Sequence, residues 1–264
     1  MHEKLPLKGI YVMNLTTDKT RPYCYLLIAL LSIMIALPCI ETGNAMLNNI
    51  ALSVCFLLFL LASLKVANAK GIAPEKRIYR LTIRGTIIIS FLADLGELAL
   101  YTICGHGEKL KFGTEHLFQL SGLALYTRIS SLITTTGYTF ITVFLIILIV
   151  RDIFSGGPVK TNKIFGSVVA YILLGISWAM LYTIFELVQP GSLLQANGEH
   201  IDSFAQAVYF SFTTLCTVGY GDITPQAHLA MVFANLEAIT GQLYLAILVA
   251  RLVTLYTVHN SNSS

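Results

Sequence analysis

The stretch Thr213-Thr214-Leu215-Cys216-Thr217-Val218-Gly219-Tyr220-Gly221-Asp222 lies between two long apolar runs, residues 164–187 and 227–258. Directly before it, the aromatic-rich run Phe204–Leu215 is too short to cross a hydrocarbon core about 30 Å thick. Such a run suits a re-entrant helix, which lipid tolerates only where protein covers its free backbone groups. Ser203 is the expected cap of that helix. Beyond the helix, ordinary extended residues would turn successive carbonyls to opposite sides. Gly219 and Gly221 can take left-handed dihedrals without a Cβ clash, so several carbonyls in a row can face one way. Thr217 adds a hydroxyl oxygen at one end of the run. Val218 and Tyr220 would pack behind it, and the Asp222 carboxylate at the other end would concentrate cations.

With the residues laid out this way, the string resembles the potassium-channel pore signature, in which backbone carbonyls replace the hydration shell of the ion. The resemblance covers residues 164–257 and is to the two-helix pore module of bacterial potassium channels, here in a six-span chain. It implies potassium held at Thr217, Val218, Gly219 and Tyr220, with Gly221 completing the filter and Asp222 at the outer mouth. It also implies filter support from Tyr209, Phe210, Thr213 and Cys216. Tyr209 stands where the family often has a tryptophan that bonds the filter aspartate, so a Tyr209–Asp222 hydrogen bond is expected. Gly241 stands where many inner helices have a hinge glycine. Close helix packing is the alternative reading of the same residue. The sequence departs from the pattern at Cys216, Thr213 and Thr224, which puts filter stability and external blocker affinity in doubt. One filter strand cannot surround an ion, so a single motif per chain implies a homotetramer. No cofactor is implied beyond potassium ions.

Composition agrees with a membrane setting. The chain of 264 residues is 55% hydrophobic and 12% charged, about half the charged share of a soluble domain. Six spans are expected, at residues 23–40, 46–66, 86–104, 130–150, 164–187 and 227–258. The fold class is thus an all-α membrane protein with a re-entrant helix and filter between the fifth and sixth helices. Residues 1–22 read as a cytoplasmic segment rather than a secretory signal, 23–152 as a four-helix membrane domain, 164–257 as the pore domain and 258–264 as a short tail. The segment His116 to Leu125 reads either as an interfacial helix or as an extension of the fourth span. With the N-terminus inside, Lys4, Lys8, Arg77, Arg80, Arg84, Arg151 and Lys163 fall on the inner side, while Lys109, Lys111 and Arg128 fall outside. That distribution expects a multi-pass plasma-membrane protein with both termini cytoplasmic, surrounded by lipid. Nothing points to nucleic acid.

A voltage sensor needs several basic residues in one span. The fourth span, residues 130–150, has none, so none is expected. Asp94 and Glu97 share a face of the third span, and Glu186 and Glu237 lie in the fifth and sixth. Buried polar contacts are the favoured reading, with gating roles for Asp94, Glu97 and Glu237 as the alternative. Glu237 is close enough in sequence to brace the pore module by hydrogen bonds. A membrane enzyme or proton-coupled transporter using these acids would leave the filter string unexplained, so a non-enzyme is expected. Cys24, Cys39, Cys55, Cys104 and Cys216 match no zinc or redox spacing and read as small buried hydrophobes. The gating stimulus is open, and an unidentified regulatory partner is one of its sources.

Overall fold

The computed structural model describes residues 22–40, 122–155 and 161–261, together with single positions 58, 59, 61, 62, 85, 88, 92 and 96. Five helices carry the described residues: α1 Pro22–Ile40, α2 Gly122–Phe154, α3 Thr161–Val188, α4 Phe204–Leu215 and α5 His228–Ser261. Three of them, over Arg128–Phe154, Lys163–Val188 and His228–Arg251, are long and apolar enough to cross a membrane. The second and third expected spans, with Asp94, Glu97, Arg77, Arg80 and Arg84, lie outside the described residues apart from isolated helical positions.

α2 is longer than the expected 130–150 and begins at Gly122, so residues 122–129 extend the span rather than form a separate helix. Within the expected span, threonine hydroxyls bond back along the helix. Thr134 donates to the Ser130 carbonyl, and Thr139 and Thr142 donate to carbonyls four residues back. Hydroxyls satisfied in this way need no water.

α3 is the centre of the packing. Val169, Ala170, Leu173, Ala179 and Tyr182 are fully buried along it. At one level, Tyr23 at the start of α1 donates to Asp152 near the end of α2 at 2.9 Å, while Gly166 near the start of α3 faces the Tyr23 ring. A Cβ at Gly166 would lie 3.2 Å from that ring. The start of α1, the end of α2 and the start of α3 therefore share one side of the bundle. By contrast, α5 is nearly bare, with 11% of its apolar window buried against 56% for α3.

The structure is mostly helical, with one short ribbon that the sequence did not announce. Two three-residue strands, β1 Leu193–Gln195 and β2 Ile223–Pro225, pair antiparallel with Leu194 opposite Thr224. The pairing gives the link after α3 somewhere to place its backbone groups, which would otherwise need partners of their own. It also fixes the chain directly after Asp222.

Candidate functional site

α4 begins with Ser203, whose hydroxyl accepts from the Gln206 backbone N–H at 3.3 Å. Gln206 returns its side-chain oxygen to the Asp202 N–H at 2.8 Å. The helix ends at Leu215, where its last carbonyls lack partners within the helix. The following residues supply them. Cys216 N–H donates to the Phe212 carbonyl, Thr217 N–H to Thr214, and both Val218 and Gly219 N–H to Thr213.

This capping has a geometric consequence. No peptide bond among the described residues is cis. In a trans peptide the carbonyl points opposite to the N–H of the next residue. Since the N–H groups of residues 217–219 turn toward α4, the carbonyls of Cys216, Thr217 and Val218 turn away from it. Thr217, Gly219 and Gly221 have φ of 56°, 55° and 78°. Thr217 is the one residue other than glycine with positive φ among the described residues. Every residue from Cys216 to Asp222 is exposed in the single chain.

The Asp222 end of the string is tied from three directions. Tyr209 donates to Asp222 Oδ2 at 2.7 Å, and its ring stacks on Tyr220 with centroids 6.2 Å apart. That hydrogen bond is the first reason why the Tyr209 pKa is pushed up to about 12, so the bond is intact at neutral pH. Asp222 Oδ1 accepts from the Ile223 N–H, and the Asp222 carbonyl accepts from the Ala196 N–H at 2.8 Å. β1, which Ala196 directly follows, is anchored in turn by Glu186, a buried residue at the end of α3. Its carboxylate accepts from the Gly191 N–H at 2.6 Å and the Leu193 N–H at 3.1 Å. His200 Nδ1 stands 3.8 Å from Glu186 Oε1 and makes no hydrogen bond.

Nearer the Cys216 end, Phe210 is buried edge-on to Tyr182, with ring centroids 4.9 Å apart. Thr213 turns its hydroxyl back to the Phe210 carbonyl, and its own carbonyl accepts from the N–H groups of Val218 and Gly219. Cys216 Sγ lies 3.5 Å from the Tyr171 hydroxyl on α3, so it is an exposed thiol in a polar contact rather than a buried hydrophobe. Gln242 of α5 donates to the Thr217 hydroxyl at 3.4 Å. Gly241 is pressed against the Leu215 carbonyl oxygen, leaving no room for a side chain. Its contact is the packing alternative raised by the sequence, and α5 runs through it as one helix. Glu237 is fully buried between α3, α4 and α5, where it meets Tyr182 at 2.6 Å and Ser211 at 2.5 Å.

Sequence reasoning therefore named the residues along the string, and the structure brings Tyr209, Phe210, Thr213, Cys216, Gly241 and Glu237 around it. It missed the anchoring of the link after α3 by Glu186, the contacts of Tyr171 and Gln242, and the partners of Glu237. A serine at position 211, inside an otherwise apolar run, was the available signal for the last of these. No group of three or more metal-ligating side chains occurs among the described residues.

The comparisons bear on residues 166–258, which match the family described as "Ion channel". A two pore potassium channel c of Oryza sativa subsp. japonica is 33% identical over 85 residues, 32% of this chain and 17% of that protein. The chain thus spans under a fifth of that relative's length. No solved structure matches. Residues 166–258 are thus similar to an ion-channel family, in a chain with three described helices long and apolar enough to cross a membrane.

Proposed function

We propose that the chain is one subunit of a homotetrameric potassium channel, conducting passively through the filter Thr217-Val218-Gly219-Tyr220-Gly221-Asp222. The observation that carries this reading is the direction of the backbone. Left-handed φ at alternate residues 217, 219 and 221 accompanies N–H groups 217–219 bound to α4, an arrangement that sends the carbonyls of Cys216, Thr217 and Val218 to the free side of the strand. Oxygens displayed in a row suit a dehydrated cation. Potassium is then held at Thr217, Val218, Gly219 and Tyr220.

The homotetramer is supported by what the single chain leaves uncovered. Residues 216–222 are exposed, although a filter strand has to be enclosed to hold an ion. On α5, Leu229, Val232, Leu236, Ile239 and Leu243 are exposed and spaced three or four apart, forming one apolar seam. The spacing of three and four suits packing against another helix, although lipid would also cover such residues. Four copies around the filter would cover both surfaces. The positive-inside distribution supports a plasma-membrane protein with cytoplasmic termini, and the span 130–150 without basic residues supports gating that does not sense voltage.

Reconstitution in liposomes with a potassium gradient tests the reading. Potassium flux should exceed sodium flux strongly, and Gly219→Ala should abolish it. Equal flux of the two ions, or selective flux that survives the glycine substitution, refutes it.

A further inference from the structure

A short polar chain runs behind the filter through otherwise apolar packing. Ser211 Oγ on α4 lies 2.7 Å from the Gly175 carbonyl of α3 and 2.5 Å from Glu237 Oε1 of α5. The Tyr182 hydroxyl of α3 lies 2.6 Å from Glu237 Oε2. All three side chains, Tyr182, Ser211 and Glu237, are fully buried.

Counting protons fixes how these bonds run. Distances of 2.5 and 2.7 Å are each those of a full two-centre O–H···O bond. The serine hydroxyl has a single proton, while the Gly175 carbonyl can only accept. If Ser211 gave its proton to a Glu237 carboxylate, two lone pairs would face each other at 2.7 Å toward Gly175. If it gave the proton to Gly175 and Glu237 were a carboxylate, the clash would move to the 2.5 Å contact. A carboxylic acid removes both conflicts. Oε1–H donates to Ser211, Ser211 donates to Gly175, and Tyr182 donates to Oε2.

We propose that Glu237 is a filter-positioning residue that holds a proton on Oε1 and donates it to Ser211, so that one directed chain of hydrogen bonds locks α4 to both flanking helices. The route to the filter is short. Ser211 precedes by two residues Thr213, whose carbonyl receives the N–H groups of Val218 and Gly219. Next to it, Phe212 seats against Gly175, where a Cβ would come within 2.7 Å of the ring. A displacement of α4 along its axis therefore moves the inner carbonyls directly. This inference rests on the filter reading given above.

Two measurements on the full-length protein test it. In liposomes, Glu237→Gln keeps one acceptor and one donor in the same shape and should leave the potassium-to-sodium flux ratio within about twofold of wild type. Glu237→Leu keeps the bulk and removes the chain, and should lower that ratio at least about tenfold. Ser211→Ala, a smaller change, should lower it in the same direction if the leucine variant does not assemble. A glutamine variant as impaired as the alanine or leucine variant overturns the proposal, as does a wild-type ratio in all three. The second measurement does not depend on conduction. Infrared spectra of the wild type should contain a carboxylic-acid carbonyl stretch at neutral pH that is missing from Glu237→Gln. Absence of that difference overturns the proton assignment. A wild type that carries no potassium but shows the band refutes the filter reading instead.

Discussion

Gly241→Ala separates two roles of one residue by the sign of its effect. Built onto the backbone, an alanine Cβ would fall on the Leu215 carbonyl oxygen, and would also come within 3.0 Å of Leu215 Cδ1 and 3.2 Å of its carbonyl carbon. A leucine methyl can swing aside, but a carbonyl at the end of α4 cannot, because the neighbouring carbonyls are committed to the filter N–H groups. Helix α5 must then move away from α4. Overpacking costs about 1–3 kcal/mol, and a clash with backbone falls in the upper part of that range, about 2–3 kcal/mol per chain. Alanine recovers up to about 1 kcal/mol as the better helix former. The net loss of about 1–2 kcal/mol corresponds to a fall in melting temperature of about 2–8 °C for a chain of this size class. Size-exclusion of detergent-solubilised protein after heating measures it. A glycine needed only as a bend point would give the opposite sign, since alanine would then stiffen α5 and raise the melting temperature. A rise, or no change, refutes the packing argument. So does full rescue by Leu215→Ala, because truncating the side chain leaves the carbonyl in place.

Three further outcomes follow from the site. Tyr209→Phe removes the hydroxyl that holds Asp222 and should accelerate inactivation during sustained potassium current; unchanged kinetics would exclude a role for the bond. Because the Tyr209 pKa is raised, the contribution of this bond is complete below the ordinary tyrosine pKa near 10 and is lost as pH climbs through about 12, so inactivation kinetics that depend on Tyr209 should stay flat from pH 7 to about 9. Glu186→Ala strands the Gly191 and Leu193 N–H groups at about 1–3 kcal/mol for each buried donor, and hydrogen exchange should quicken across residues 189–200. Ser203→Ala removes the cap of α4 at a cost of about 1 kcal/mol, which should lower thermal stability by a few degrees without changing ion preference.

Local features near the filter were legible because each depends on few residues. Ser203 before an apolar run signals a cap whatever surrounds it, and the helix Phe204–Leu215 follows. The Tyr209–Asp222 bond came from resemblance, and its geometry is the one expected. Long-range features were less readable. Leu193-Leu194-Gln195 is too short to leave an alternating pattern, and its partner ends in Pro225, so the strand pairing had no signature. The left-handed φ of Thr217 was hidden because only glycine advertises that conformation in a sequence. Arg128 looks like the edge of the fourth span, yet it lies well within α2, where neighbouring apolar residues outweigh local propensity. The acids of α3 and α5 could be named but not paired, since Glu237 finds its partners 26 and 55 residues away.

The account stands on backbone oxygens of Thr217, Val218, Gly219 and Tyr220 facing a shared axis. The most direct measurement is a crystal structure of the assembled protein grown with thallium as a potassium substitute, with the ions located by their anomalous scattering. The account predicts a file of peaks on a four-fold axis, each ringed by carbonyls from four chains. Peaks elsewhere, or a filter strand whose oxygens turn into protein away from any axis, would contradict it.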